Sequence, residues 1–471
     1  MRKTKIICTI GPSSDNEEIL IEMAREGMNV ARCNFSHGSH EQHKARFEMI
    51  KKVREDLNLP IAIMLDTKGP EYRIGTFEND SIKLKAGDEF IFTTEEIVGN
   101  QNKVSVSYIN LNQELNPGDV ILVNNGLVKF IVKEIKDNDI ITKVAIGGVL
   151  SNRKSMSFPN KHLKQIFLSD KDKDDLLFGI ENDVDFVAAS FVSCKQDLLD
   201  MRRFLDENGG KDIEIIAKIE NRSGVDNIEE ICEVADGVMV ARGDLGVEVP
   251  FIEVPSIQKS LIKKCRMMGK VVITATEMLE SMINNPRPTR AEISDVANAV
   301  YDGSSAIMLS GESASGKYPV EAVKNMAQIA EFTESKINYR KLFLEQNFEI
   351  RNSIDAVSHA TCDMAIDVNA KVIVVSSLSG ATVRMISRFR CPIDILGVTT
   401  SEKVWYKLAL SWGVTPAITG RFEHTTPMFN NALNLAKMIF SLKKDDHVVL
   451  TGGAVGIKKS PTNLIKLEVV K

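Results

Sequence analysis

One recurring unit restricts this chain to a small set of folds. A short β-branched apolar run ends in a polar or glycine-containing cluster, and a helical pattern follows. The runs are Ile6–Ile10, Asn29–Cys33, Ile61–Leu65, Asp185–Ala189, Ile213–Ala217, Gly237–Ala241, Val271–Ala275 and Ala306–Leu309. Strands that alternate with helices build parallel βα units. Eight such units close into a barrel whose working groups lie at the C-terminal ends of its strands. Every polar cluster in the series sits at such an end.

The third and fourth units are separated by about a hundred residues, far more than an ordinary barrel loop. The inserted sequence reads as β: "DEFIFTT", "KVSVSY", "DVILV" and "LVKFIV" alternate or run apolar between "NPGD" and "NNG" turns. Beyond about Asn338, "AKVIVVSSLSGATVRMISRFR", "DILGVTT" and "DHVVLTGGAVG" are strands interleaved with helical stretches such as Phe429–Leu442. The expected architecture is α/β. A (β/α)8 TIM barrel spans 1–69 and 168–338. It carries an inserted small β-barrel lid domain at 70–167 and a C-terminal α/β domain, doubly wound, at 339–471. One barrel helix reads in detail. Thr289 with Glu292 three residues on is a capping box, Ile293, Val296, Ala297 and Val300 share a face, and Gly303 is its stop.

Length and charge narrow the function classes. A chain of 471 residues is too long for one core. Its 59 basic and 64 acidic residues give a net charge of −5, without the basic footprint of a nucleic-acid binder. Seven scattered cysteines, with no Cys-x-x-Cys pair, argue against a disulfide framework and for a reducing cytoplasm. The N-terminal sequence has no secretory pattern, and no apolar run approaches the roughly 20 residues that span a bilayer.

The chemistry concentrates at the strand ends. In "IEIIAKIEN" (Ile213–Asn221), Lys218 and Glu220 interrupt a buried run, and residues two apart in a strand face the same side. Buried charges are costly unless paired or metal-bound. The next strand ends in "ARGDLG". Glu220 and Asp244, from neighbouring strands, could share one Mg²⁺, which favours one or two carboxylates plus water and substrate oxygens. Lys218 beside them would meet a phosphoryl group or an enolate; the plainer reading is an internal ion pair of Lys218 with Glu220 or Asp244. The second strand supplies Arg32, Asn34 and Ser36 on one face. The third supplies Asp66, Thr67, Glu71 and Arg73, and the seventh Thr276. Polar groups converging from five strands suit a polyanionic small molecule, and arginines suit carboxylate and phosphate. Asn34, Ser36, Asp66 and Thr67 are hard oxygen donors for a monovalent cation, or members of a hydrogen-bond network with Arg73.

Three other features carry less. "GESASGKY" (Gly311–Tyr318) follows the P-loop pattern until Tyr318 replaces the required hydroxyl residue, and Pro319 fits the opening of a helix. His37, His40 and His43 do not share one narrow helical face, so a zinc site is not expected. Arg153 and Lys154 on the insert read as a solvated edge, or as a lid contact to a nucleotide phosphate.

The segments "TKIICTIGPSS", "GMNVARCNFSHG", "LDTKGPEYRIG", "IIAKIEN", "VMVARGDLGVE", "TATEMLESM" and "RPTRAEISDVANAVYDG" together resemble the pyruvate kinase family over nearly the whole chain. The resemblance implies phosphoryl transfer from phosphoenolpyruvate to ADP, giving pyruvate and ATP, as the last step of glycolysis. It implies Mg²⁺ (or Mn²⁺) on Glu220 and Asp244, and K⁺ on Asn34, Ser36, Asp66 and Thr67. Relatives that dispense with K⁺ carry lysine where this chain has Glu71. The catalytic residues would be Lys218, Arg32, Arg73 and Thr276. Arg32, Lys218, Gly243, Asp244 and Thr276 would bind substrate, and Asn34, Phe35, Ser36, His37, Arg73 and Lys154 the nucleotide. It also implies a homotetramer and a sugar-phosphate effector received at "SSLSGAT" (Ser376–Thr382), where Ala381 replaces the arginine of some relatives. The chain stops at "TNLIKLEVVK" without the extra domain of some bacterial relatives. No nucleic acid or membrane partner is expected.

Two other classes remain open from sequence. Another Mg²⁺-dependent enolate enzyme, an aldolase or lyase, would not need Arg73 and a lid bearing Lys154. A non-catalytic metabolite sensor would not need Lys218, Glu220 and Asp244 intact.

Overall fold

The computed structural model describes residues 1–159, 161, 163, 166–455 and 462–471. Gly456, the last residue of "DHVVLTGGAVG", lies outside them.

Eight parallel strands close a barrel in chain order: Lys5–Thr9, Val30–Asn34, Ala62–Asp66, Phe186–Ala189, Glu214–Ile219, Gly237–Ala241, Val271–Ala275 and Ala306–Leu309. The last three match the expected bounds. The fifth runs two residues further than expected, so Lys218 lies inside a strand and not after it. Alternation sorts the side chains. Ile6, Cys8, Ala31, Cys33, Ile63 and Leu65 face the helices in the larger core. Ile7, Val30, Met64, Ala188, Ile216, Met239 and Met308 fill the barrel interior. Two residues further along the same faces stand Arg32 after Val30, Asp66 after Met64, Ser190 after Ala188 and Lys218 after Ile216. The interior therefore changes from apolar to charged at one end, and that layer is the floor of the site.

The helix Arg290–Asp302 has its capping box, with Thr289 Oγ1 and the Glu292 carboxylate exchanging bonds across the first turn, and ends at Gly303 with φ 95°. Its buried face is Val296, Ala299 and Val300, whereas Ile293 is 40% exposed. The expected stripe is thus rotated by part of a turn, because the helix packs on its neighbouring helices, chiefly Pro319–Glu334 and also Val254–Met267. Pro319 occupies the first turn of that neighbour, as expected.

Strands between Ser81 and Ser157 form the insert around its own core, centred on Phe90, Phe92 and Phe130. They pair as a six-stranded sheet and a two-stranded sheet, so this unit is not closed by one continuous ladder as the barrel is. The "NNG" turn places Asn124, Asn125 and Gly126 at φ 58°, 53° and 79°, a left-handed path that asparagine and glycine tolerate.

The C-terminal sheet runs Val414–Ile418, Asp394–Thr399, Val372–Ser376, His447–Gly452, Leu464–Val469. Four strands are parallel and the last is antiparallel at the edge, with an apolar core on each face. Trp405, Tyr406 and Leu410 from this unit join the interior cluster of the barrel and plug its end opposite the charged layer. No helix among the described residues is long and apolar enough to cross a membrane.

Candidate active site

Lys218 is the centre of the charged layer. Its Nζ lies 3.0 Å from Asp66 Oδ1, 2.9 Å from Glu220 Oε1 and 2.6 Å from Ser190 Oγ. An ammonium has three donors, and all three are engaged. Burial alone would lower its pKa, but Asp66 and Glu220 outweigh burial and hold the lysine charged above its ordinary value. Arg32 Nε donates to Asp66 Oδ2 at 2.6 Å, and its Nη1 to Thr9 Oγ1 at 2.8 Å. Burial would raise the Asp66 carboxyl, yet Arg32 and Lys218 bring it below its usual value. One buried carboxylate thus orients two cations. Ser190 closes the layer by donating to the Thr67 carbonyl at 2.7 Å.

Glu220 is the member of this group whose charge is disfavoured. Its Oε2 accepts from the Phe191 N–H at 2.6 Å, and Phe191 holds a left-handed φ of 59°. Burial, opposed by Lys218 and reinforced by Asp244, pushes the Glu220 carboxyl up to about 7. Asp244 itself is exposed, in the first turn of the short helix that follows the sixth strand. A second carboxylate close enough to disfavour the Glu220 charge marks a place for a cation. Among the described residues no group of three or more such ligands gathers, so a metal here would take its remaining ligands from water or substrate.

Thr276 follows the seventh strand at φ 68°, and Glu277 at φ 53°. A β-branched residue in that region costs about 1–3 kcal/mol and persists only where its surroundings hold it. Thr276 Oγ1 accepts from the Gly243 N–H at 2.8 Å, and its carbonyl accepts from Arg242 Nη2 at 2.6 Å. Arg242 is anchored in turn on Asp295, 2.7 Å away on the capped helix. Gly243 and Thr276 are therefore brought together, and the capped helix braces them.

Arg73 and Lys154 belong to the insert. They line a cavity of about 230 Å³ with Glu71 and, from the barrel, Phe191, Asp244 and Glu248. Arg73 pairs with Glu71 through Nε and Nη2, at 2.9 and 2.7 Å, and its Nη1 donates to the Arg153 carbonyl. The alternative network of Arg73 with Asn34, Ser36, Asp66 and Thr67 does not form. Glu248 accepts from Ser157 Oγ and the Phe158 N–H, which ties the insert to the barrel. Burial, eased by these two bonds, pushes its carboxyl up to about 7.

Asn34 and Asp66 are cross-strand partners, with Ser36 and Thr67 just beyond them. The Asn34 side chain accepts from the Ser36 N–H, and Thr67 Oγ1 donates to the Ala188 carbonyl. Phe35 departs from the expectation in its side chain: the ring is 2% exposed, stacked on His43 and packed against Phe47 and Phe178, so only its backbone is open to a nucleotide. Alternation explains this, since Asn34 lies at the site and the residue after it turns into the helix layer. His37 is exposed, whereas His40 bonds Asp175 at 2.8 Å and His43 bonds the His37 carbonyl. The Gly311–Ala314 turn is structural: Glu312, fully buried, accepts from the Leu279 and Ser310 N–H groups.

Ser190, Glu248 and Thr9 are contributors that sequence reasoning passed over. Ser190 was open to detection, because it stands two residues past inward-facing Ala188. Glu248 was not, since its partners lie on another domain.

Residues 1–323 match the family model described as "Pyruvate kinase, barrel domain", and residues 355–468 the one described as "Pyruvate kinase, alpha/beta domain". A pyruvate kinase of Clostridium acetobutylicum is 47% identical over 473 residues, covering 100% of both chains. A pyruvate kinase of Bacillus licheniformis is also 47% identical, across 100% of this chain and 81% of that one. The crystal structure of a pyruvate kinase from Cryptosporidium parvum superposes with a TM-score of 0.95 at 39% identity, covering 100% of this chain and 96% of that one.

Proposed function

This chain belongs to the pyruvate kinase family and is a phosphotransferase, and on that premise we propose that it moves the phosphoryl group of phosphoenolpyruvate to ADP, yielding pyruvate and ATP. The observation that carries this reading is the Lys218 ammonium, held charged between Asp66 and Glu220 at the barrel mouth. Phosphoryl transfer asks for little covalent work and much charge neutralisation. Lys218 meets the phosphoryl group as it passes, and one of its three contacts exchanges for a substrate oxygen. Arg32, steered by Asp66, grips the phosphate from the side. The Gly243–Thr276 pair receives the carboxylate end, with the Thr276 hydroxyl beside the proton's path to the product. Arg73 and Lys154 bring positive charge to the nucleotide from the insert, which acts as a lid that excludes water. Asn34, Ser36 and His37 lie on the same rim.

Glu220 and Asp244 fit a divalent ion, Mg²⁺ or Mn²⁺, because burial and the Asp244 charge disfavour the Glu220 carboxylate even with Lys218 beside it. When bound, the ion supplies positive charge for the substrate's anionic oxygens. Asn34, Ser36, Asp66 and Thr67 fit K⁺ as a set of adjacent oxygen donors. Omitting K⁺ is expected to slow turnover at least tenfold, a loss of about 1.4 kcal/mol in transition-state stabilisation; an unchanged rate in a buffer free of Na⁺ and K⁺ would remove that set from its role.

The Glu220 carboxyl sets a pH dependence. Its folded pKa, about 7, lies above the ordinary value, so below pH 7 the metal-free protein holds a proton there. Metal binding must expel it. Mg²⁺ affinity is therefore expected to fall roughly tenfold per pH unit below 7 and to level off above. The stability of the metal-free fold runs the other way. The contribution of this raised carboxyl is fully present at acid pH and is lost as pH rises through about 7. Titration calorimetry across that range checks the first, and denaturant unfolding the second.

The effector reading also stands as a proposal. Ser377, Ser379, Ala381 and Thr382 line a cavity of about 510 Å³ in the C-terminal unit, and a sugar phosphate fits its hydroxyl-rich turn. We place the enzyme in glycolysis, in the cytoplasm, as a homotetramer. A lactate-dehydrogenase-coupled assay with phosphoenolpyruvate, ADP, Mg²⁺ and K⁺ tests the central claim; absence of pyruvate formation would reject it.

A further inference from the structure

At the plugged end of the barrel, a cavity of about 10 Å³ separates the barrel from the C-terminal unit. That is room for one small sphere. Lys270 and Ser305 line it from the barrel side, and Arg384, Arg388, Arg390 and Ser411 from the other. The carboxylates nearby are already committed. Glu214 is shared by Arg384 and Lys407, at 3.2 and 3.3 Å, and Asp355 lies 3.3 Å from Arg388. Asp236 is held by its own strand, accepting from the Ile215 N–H at 2.8 Å, and forms no ion pair with these cations among the described residues. Among the described residues, Lys270 Nζ donates to the Ala235 carbonyl, at 2.7 Å, and forms no ion pair.

Arg390 has no carboxylate within ion-pair distance among the described residues. It is 4% exposed, donates to Ser387, Gly303 and Ser305, and stacks on Trp412. Burial, and then the neighbouring Arg266, pull its guanidinium down to about 9. Four donors on lining residues have no hydrogen-bond partner among the described residues: Arg384 Nη1, which still has the Glu214 carboxylate at 3.2 Å, and Arg388 Nε, Arg390 Nε and Ser411 Oγ, on residues 3%, 4% and 2% exposed. Buried polar groups are seldom left so. A water could accept from both Nε groups and donate to Ser411 Oγ, but it would leave the Arg390 charge uncompensated. An anion in the cavity supplies the charge that Arg390 lacks and accepts from the unpartnered donors of the residues that line it.

We propose that this junction cavity binds one small anion of the halide class, which bridges the barrel and the C-terminal unit. Such an anion stabilises the folded state by mass action. The test uses the full chain. Crystals soaked in bromide should show an anomalous peak between Arg388, Arg390 and Ser411. In solution, melting temperature should rise by about 2 °C or more, saturably, when gluconate is replaced by chloride at equal ionic strength. Ser411→Ala should fold, and should weaken the chloride effect roughly tenfold by removing one donor to an ion. A water at the site without anomalous signal overturns the proposal. So does equal melting in chloride and gluconate, which would make any bromide peak an adventitious ion only, and so does a Ser411→Ala variant that responds as fully as the wild type.

Discussion

Lys218→Met is expected to lower turnover by at least about 10³-fold while leaving the protein folded and Mg²⁺ binding measurable. The size follows from the work assigned to the side chain. A positioned cation on a phosphoryl group in transfer is worth about 10³–10⁵ in rate, and methionine fills the same space without charge. The fold survives because the two carboxylates that lose the lysine have other recourse. Asp66 keeps Arg32 at 2.6 Å. Glu220 keeps the Phe191 N–H and, with a pKa of about 7 before the change, takes up a proton readily. The measurements are kcat in the coupled assay, Mg²⁺ titration and a thermal melt. Turnover within tenfold of the wild type would remove Lys218 from its role; loss of metal binding together with turnover would move that role to the metal site.

Asp66→Ala is expected to be the most destabilising single change at the barrel mouth. Asp66 is 1% exposed and is the shared counter-charge of Arg32 and Lys218, each 8% exposed. Removing one partner of a buried ion pair leaves an uncompensated charge and costs about 3–5 kcal/mol. Lys218 still has Glu220, so Arg32, left with Thr9, bears most of the loss. Asp66→Asn keeps the shape and one acceptor and should cost less. Both should depress turnover, because Arg32 and Lys218 lose their common anchor. A shift of the barrel's denaturation midpoint equivalent to less than about 1 kcal/mol for the alanine variant would show that the two cations reach solvent or other partners.

Much of the site was legible in the chain because strand periodicity is local. Lys218 and Glu220 two apart at the end of a buried run must face one side, and they do, 2.9 Å apart. The capping box at Thr289 and the helix opening at Pro319 were readable for the same reason. Where reasoning failed, a neighbour distant in sequence decided the outcome. Ile293 was placed on the buried face by helical spacing, yet packing against the adjacent helix rotates that face toward Ala299. Phe35 was grouped with the nucleotide residues around it, but its ring belongs to an aromatic cluster with His43, Phe47 and Phe178. The Arg32–Asp66 bond joins residues 34 apart and the Lys218–Asp66 bond residues 152 apart, and no local rule pairs them.

The sequence by itself determined that this chain alternates strands and helices eight times, interrupts that series with a β insert, and sets polar side chains at strand ends. These properties follow from hydrophobic period, turn chemistry and capping, which act within a few residues. Only the tertiary structure decided which cation each carboxylate serves, that Thr276 and Phe191 would be held in left-handed backbone, that Glu248 would fasten the insert, and that the buried Arg390 would stand behind the barrel with no carboxylate in ion-pair distance among the described residues. Those outcomes depend on closing the barrel and docking its plug. Burial and Coulomb energies are set by whichever groups three-dimensional packing brings within a few ångströms.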